Sequence, residues 1–515
     1  MPLLIETHGK QAYIFGTGKR REAVGASYLV HAVTDWARAA LPPSAEVLVA
    51  TSGTVLAFVD EHADAVAAVR AVTTRALSDA PGLGVTGVVG EPIEWESGHA
   101  PAAVATLFAR MAQVRVSRPG PTSRFPVLPV TALCPSSALP VAGLTHAGEE
   151  RSASSLAKLA AAPDALARLS SLTGLTVAHL GAATERLAGD LDDSPARVAV
   201  VHADGNGLGK LVARLADVLV PPGATDPDTR YVQGYRAFSD ALASVAEQAF
   251  RAAVDDLPVA EPDVLPLVLG GDDITFVVDA TYAPQLTRTF LHALVAIAAD
   301  TQAIAGPVAA ASSTGDPRLG IAAGMVVTTP HFPFSAAYGM AEDLLTDVAK
   351  QAKSAVVDPA GDPVPCVSVA AYVQIDSSAA ATGARLGALT SGDRLLTGGP
   401  FVAAVTEREL SVDAATWLHA RDLDDDLVAL ARSLHAVDDE GRRIRPSAQL
   451  HELRRRLRPD PRAADEYLGR LLAADPERWA MLQEDPGSLF TRRSSGPPTT
   501  RFLDALTLAP YTAGM

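Results

Sequence analysis

Two series of short apolar runs follow one another along this chain, each broken by glycine-bearing turns and spaced by stretches of helical period. The first series opens with the strand-like Leu3-Leu4-Ile5. A polar segment, Gly16-Thr17-Gly18-Lys19-Arg20-Arg21-Glu22, precedes a helix predicted over Val24–Ala40. Glu46–Ala50 and Thr54–Val59 read as strands on either side of Thr51-Ser52-Gly53, a hairpin pattern. A helix from Glu61 to Leu77 and a strand over Val85–Val89 close the series. The second series starts with a strand, Arg197 to Asp204. Gly205-Asn206-Gly207-Leu208-Gly209-Lys210 then leads into a helix to Val218. After a loop from Pro221 to Asp228, a helix over Phe238–Val254 places Leu242, Val245, Ala246, Ala249 and Phe250 on one face. Val264–Leu269 and Ile274–Val278 flank Gly270-Gly271-Asp272-Asp273, a second hairpin. A helix over Pro284–Ala299, a strand over Leu319–Val327, a helix over Ala336–Lys353 and a strand over Cys366–Gln374 follow.

Strand–helix–hairpin–helix–strand, met twice, implies an internal duplication of a ferredoxin-like α+β unit. The expected division is a first unit over 1–146, a helical linker over 147–195, a second unit over 196–375 and a mainly helical region over 376–515. That last region includes a stretch expected to be flexible, Arg492 to Thr500. The 515 residues suit more than one domain.

Composition narrows the function classes. A net charge of −16 argues against broad electrostatic binding of nucleic acid, while leaving room for a local basic groove. Cys134 and Cys366 make neither a zinc-ligand spacing nor a disulfide framework, which fits a reducing cytosol. Charged residues crowd the N-terminus, so no signal peptide is expected. No apolar run approaches ~20 residues, so no membrane span is expected. The predicted location is cytoplasmic.

The two hairpins differ in chemistry. Adjacent carboxylates at a glycine turn pack poorly but hold hard cations well. In an open sheet of this type Asp204 and the pair Asp272, Asp273 fall on neighbouring strands. Three converging carboxylates repel one another unless cations neutralise them, and two Mg²⁺ (or Mn²⁺) ions ~3.5–4 Å apart would do so. One would activate a ribose 3′-hydroxyl and the other would hold a triphosphate. The expected metal site is Asp204, Gly205, Asp272 and Asp273. The loop Gly205, Asn206, Gly207, Leu208, Gly209, together with Gly270 and Gly271, offers backbone to phosphate oxygens. Lys350 and Lys353, at i and i+3 of the predicted helix, share a face and reach the same phosphates. Taken singly, each element has a plainer reading: Asp204 as a turn residue, the Gly-Gly-Asp-Asp run as a hairpin, the lysines as a solvated face. Gly16-Thr17-Gly18-Lys19 lacks the spacing of a P-loop. Arg454-Arg455-Arg456-Leu457-Arg458 reads as a helix end offset by Glu452 and Asp460.

The runs Val201-His202-Ala203-Asp204-Gly205-Asn206-Gly207-Leu208-Gly209 and Leu269-Gly270-Gly271-Asp272-Asp273 resemble the palm domain of the large (Csm/Cmr polymerase) subunit of type III CRISPR effectors. Ile5 to Phe15, Lys19 to Ser27, and Gly320-Ile321-Ala322-Ala323-Gly324 with the helix after it are similar to that family as well. The resemblance implies two palms packed as a pseudo-dimer with nucleotides between them. It implies joining of ATP into cyclic oligoadenylate with release of pyrophosphate, with Asp204, Asp272 and Asp273 serving the metals. The first palm would hold a second nucleotide without doing chemistry. Partners implied are guide-RNA effector subunits and an activating target RNA, or none if the chain stands alone. The chain has no His-Asp dipeptide for the nuclease centre that many family members carry, and no zinc is expected. Two other readings stay open: a nucleotide-binding scaffold subunit without turnover, and a GTP-using cyclic dinucleotide synthase.

Overall fold

The computed structural model describes residues 1–118, 120–357, 361–373, 389–404, 411–412, 421–491 and 497–512. The first unit runs β1 (Pro2–His8), α1 (Lys10–Phe15), α2 (Arg20–Ala40), β2 (Glu46–Thr51), β3 (Thr54–Phe58), α3 (His62–Asp79), β4 (Gly84–Val89), α4 (Ala100–Ser117). Its antiparallel sheet has the order β2-β3-β1-β4. A hairpin of β5 (Val141–Leu144) and β6 (Glu150–Ser152) and two helices, α5 (Ala153–Thr173) and α6 (Val177–Arg186), lead on to the second unit. That unit runs β7 (Val198–Gly205), α7 (Leu208–Ala213), α8 (Leu215–Leu219), α9 (Pro227–Asp255), β8 (Val264–Gly270), β9 (Asp273–Asp279), α10 (Ala283–Asp300), α11 (Gln302–Ala311), β10 (Ile321–Thr328), α12 (Phe334–Asp347). The strands β8-β9-β7-β10 repeat the order of the first sheet, so the duplication is one of topology as well as of pattern. It also takes in one more helix: α4 packs on β1 and β4 as α12 packs on β7 and β10.

Both faces of the second sheet are covered, which is why β7 opens with four consecutive apolar residues, Val198 to Val201. Phe276 pairs with Val201, and on that face it meets Phe250 of α9 at 5.5 Å and Phe290 of α10 at 6.1 Å, edge to face. Side chains alternate along a strand, so the next pair, His202 with Thr275, points the other way. There His202 lies 5.2 Å from Tyr338 of α12, which stacks on Phe15 of α1 at 3.9 Å.

The units exchange contacts reciprocally: α2 packs against β8, and α9 packs against β2. Ser27 donates to the carbonyl of Leu267 and Arg236 to that of Val47, while Arg236 also meets Glu46 at 2.6 Å. Such paired use of equivalent surfaces is what a two-fold relation produces, here within one chain. Buried Asp228 of α9 accepts from the backbone N–H groups of Ser97, Gly98 and Ala100 at 2.8–3.1 Å, capping α4 across the interface.

Several boundaries differ from the sequence reading. The helix expected from Phe238 begins at Pro227, because Tyr231, Val232 and Tyr235 extend the buried stripe N-terminally. The helix expected to reach Val218 breaks at Arg214 into α7 and α8. Strands Cys366–Val373, Phe401–Ala404 and Arg421–Asp422 extend the second sheet to seven strands among the described residues, ahead of the C-terminal helices. Of the stretch expected to be flexible, 492–496 lies outside the described residues, whereas Thr499 and Thr500 are fully buried. Arg455 and Arg456 both bond Glu452, at 2.7 and 2.6 Å, so that basic run is a self-paired helix end. Among the described residues no single helix is long and apolar enough to cross a membrane.

Candidate active site

Register builds the site. β7 lies between β9 and β10, which sets Asp204 directly opposite Asp273 and Ala322. Gly270 pairs with Asp273 and leaves Gly271-Asp272 as the turn. Gly271 has φ 74° and Asp272 is not left-handed, the type II′ pattern that needs glycine at its first central position. In the first palm Ser52 and Gly53 both have positive φ, 47° and 74°, a type I′ pattern, and Glu6 pairs with Thr54 where Asp204 pairs with Asp273. The first palm therefore retains one acidic residue of three.

Asp272 leans over the backbone of Gly205: a Cβ on Gly205 would stand 3.2 Å from that of Asp272 and 2.4 Å from Leu208 Cδ1. Glycine is what lets the second carboxylate approach the end of β7. The Asn206 N–H donates to the Gly320 carbonyl at 2.8 Å, and both polar atoms of its side-chain amide are shut off from solvent without a hydrogen bond. Gly207, at φ 80°, precedes α7, and Leu208 turns its side chain into the core. α7 is only 6 residues long, so its dipole is small. Gly270 faces the other palm, where a Cβ would stand 2.1 Å from Ser52 Oγ; the two hairpin tips touch.

The lysines are placed differently from the expectation. α12 ends at Asp347, and Val348 breaks the helix; Lys350 lies in a following 3₁₀ turn and Lys353 in a separate single turn. Lys350 donates to Asp204 Oδ2, both side chains being largely shielded. Lys353 is exposed, and its charge, after burial, helps lower the pKa of Lys350.

Negative charge at the hairpin is poorly compensated. Burial pushes the pKa of Asp273 up, opposed by Lys10; burial and the neighbouring Asp273 push that of Asp272 up. One oxygen of Asp273, Oδ1, is shut off from solvent and accepts no hydrogen bond, although the side chain is partly exposed. His202 Nδ1 lies 3.7 Å from that oxygen, but it is engaged by Thr275 Oγ1 at 3.0 Å and the Ile274 carbonyl at 3.2 Å. Burial lowers the His202 pKa, so its ring is neutral near neutral pH and contributes no countercharge. The motifs assign no role to His202 and Tyr338; the pairing of β7 with β9 and the packing of α12 on β7 bring them to the site.

A stability prediction follows from the sign of these shifts. A carboxylate whose pKa is raised by folding binds its proton more tightly in the folded chain, so stability falls as pH rises from the ordinary carboxylate range through the raised value. Above the raised value the penalty is fully present. Asp273→Asn is therefore expected to raise the thermal midpoint of metal-free protein at neutral pH, with the gap closing as the solution is acidified. A variant that melts below wild type at neutral pH would show that the carboxylate is satisfied as it stands.

A ferredoxin-like sheet with paired aspartates on a hairpin beside a strand-end aspartate is the arrangement of a palm domain. Residues 197–356 match the family model of the Cas10/Cmr2 second palm domain. Among solved structures, the chain is similar to the apo state of a type III-B Cmr-beta complex, at TM-score 0.50 and 9% identity over 99% of this chain and 81% of that one. It is also similar to Csm1 of T. onnurineus, at TM-score 0.48 and 14% identity over 100% and 70%. A Csm1–Csm4 cassette in complex with AMPPNP matches at TM-score 0.47 and 14% identity over 99% and 70%. None of the curated proteins matches. The resemblance to type III CRISPR large subunits, drawn from the motifs, thus agrees with the domain match and with the palm-domain pseudo-dimer.

Proposed function

We propose that the second palm is a divalent-metal-dependent nucleotidyltransferase that links ATP into a cyclic oligoadenylate and releases pyrophosphate, as part of a type III CRISPR effector. The observation that carries this reading is the register that sets Asp204 opposite Asp273 while Asp272 leans over Gly205, within a segment that matches the Cas10/Cmr2 second-palm model.

The residues present fit a hard cation in part. A desolvated carboxylate oxygen without a hydrogen bond, beside a second carboxylate raised by its charge, is the kind of group a cation relieves. Yet among the described residues no group of three or more His, Cys, Asp or Glu stands close enough to hold a metal ion, and Asp204 is occupied by Lys350. Asp272 and Asp273 would hold Mg²⁺ or Mn²⁺, with Asp204 and the Gly205 backbone joining once Lys350 releases its partner. Bound there, the metal supplies Lewis-acid polarisation of phosphoryl and hydroxyl oxygens. The chain's own share is orientation. The backbone of Gly205 and Gly207 would face the triphosphate, and Lys350, freed from Asp204, would meet it as a point charge. The first palm, with Glu6 and Thr54 in place of the two paired aspartates, holds a second nucleotide.

Mass spectrometry of products from mixed nucleoside triphosphates with Mg²⁺ or Mn²⁺, with and without co-purifying subunits and RNA, tests the reading. Cyclic adenylate and stoichiometric pyrophosphate are expected. Guanine-only product would favour a GTP-using synthase, and tight ATP binding with no product under any condition would favour the scaffold.

A further inference from the structure

We infer that the place where α2 of the first palm meets the start of α12 of the second is an anion site, in which Arg20 binds a phosphate group. The site lies apart from the carboxylate hairpin and does not depend on the nucleotidyltransferase reading. β10 runs from Ala322, opposite Asp204, to Thr328, opposite Val198. α12 therefore starts by the far end of β7 from the carboxylates and returns toward them, with Lys350 after its end. Arg20 is the first residue of α2, and only 5% of it is exposed. Its guanidinium lies 3.9 Å over the ring of Phe334, the first residue of α12. Nε and Nη2 are shut off from solvent and donate no hydrogen bond. Burial lowers the pKa of Arg20 to about 10, opposed by Asp190, an exposed carboxylate; the guanidinium is therefore ionised near neutral pH. The ring face offsets part of the cost of burying that charge, but it gives the N–H groups in the guanidinium plane no acceptor. A buried charge left in this state is strongly destabilising.

The backbone around Arg20 carries the same sign. Neither α2, 21 residues long, nor α12, 14 residues long, has a side-chain cap at its N-terminus. Both helices present open N–H groups and the positive ends of their dipoles. Lys19 and Arg21, both exposed, add two more cations to an end where cations are disfavoured. Glu22, the one acidic residue of that turn, is committed elsewhere: it is buried, accepts from Thr17 and Ser155 at 2.7 and 3.0 Å and has Arg151 at 3.4 Å. Nothing lies within 4 Å of a Cβ position on the exposed Gly18, so the approach to the end of α2 is open. Helical side chains point back toward the N-terminus, which turns the Arg20 fork toward that end. A planar fork suits two oxygens of one phosphate, with helix N–H groups beside it. Bound there, the phosphate satisfies Nε and Nη2 and ties the first palm's α2 to the second palm's α12. The chemistry is that of a phosphoryl oxyanion, whether it arrives as free phosphate or as pyrophosphate.

The test uses the full chain in EDTA, so that no metal carries phosphate to the hairpin, and at constant ionic strength. Melting curves and calorimetric titrations with inorganic phosphate and with pyrophosphate are compared with chloride. The proteins are wild type, Arg20→Met, Arg20→Lys and Asp272→Ala/Asp273→Ala. Phosphate or pyrophosphate is expected to raise the wild-type melting midpoint where chloride does not, and the double aspartate variant is expected to respond equally. Tighter binding of either anion upholds the site and identifies the form it takes. Arg20→Met is expected to lose about tenfold or more in affinity, with lysine, which lacks the fork, restoring only part. Without added anion Arg20→Met is expected to melt at or above wild type, because an unpaired buried charge has gone. A wild-type chain that responds to neither anion overturns the site, as does a response that survives in folded Arg20→Met or is lost with the two aspartates. An Arg20→Met chain that melts far below wild type without anion, or does not fold, also overturns it, since the Phe334 ring would then already satisfy the guanidinium.

Discussion

Replacing Asp272 and Asp273 together by alanine is expected to cut pyrophosphate release from ATP on the order of a thousandfold, with the fold retained. The magnitude follows from several kcal/mol of Lewis-acid stabilisation lost with the metal, at about 1.4 kcal/mol per tenfold in rate. The fold should survive because neither side chain holds the sheet. The turn is specified by Gly271 and by the Gly270–Asp273 backbone pair, which alanine keeps. Burial raises the pKa of both carboxylates, so their removal takes away a desolvation penalty on the charged form in the metal-free chain. The expected result is thus a dead protein that melts at or above the wild-type temperature. Turnover within tenfold of wild type would sink the assignment of chemistry to this hairpin. A collapse in melting temperature would mean that the pair is structural.

The second large effect is expected at Gly324, in the middle of β10. It stands opposite His202 in the register, and a Cβ there would come 2.0 Å from the Ala341 carbonyl oxygen and 2.8 Å from the Leu345 nitrogen, both in the backbone of α12. Backbone cannot rotate away as a side chain can, so Gly324→Ala has to push α12 off the sheet. Overpacking of this kind costs about 1–3 kcal/mol. The damage reaches the site, because α12 carries Tyr338 and leads directly to Lys350. Gly339, on the same helix, is the control. Nothing lies within 4 Å of its Cβ position, and alanine there should stabilise the helix by about 0.5–1 kcal/mol. Denaturant titration of the two variants should therefore move in opposite directions. A Gly324→Ala protein as stable as wild type would show that the helix is not seated as described.

Much of this was legible in the residues. The glycine turns, the strand–helix–hairpin–helix–strand order and its repetition are local signals, and the two hairpins fall where the pattern sets them. Paired carboxylates on a glycine turn are also local, since they conflict with any packing role. What misled was likewise local. The apolar period over Ala336–Lys353 continues past the point where the backbone breaks at Val348, because a 3₁₀ turn keeps some of the same residues inward. Strands beyond 389 are only 2–4 residues long and carry too little alternation to be read.

By itself, then, the sequence determined the α+β duplication and which of its halves is acidic, since both are written in short-range order: turn chemistry, strand alternation and adjacent charge. Only the tertiary structure decided what surrounds those charges. Register set Asp204 opposite Asp273, a break in a helix delivered Lys350 to Asp204, and the pseudo-two-fold packing brought Ser52 from the far end of the chain to the hairpin. These pairings depend on how two sheets and their helices share buried surface. That is a property of the whole packed chain, and no short stretch of residues encodes it.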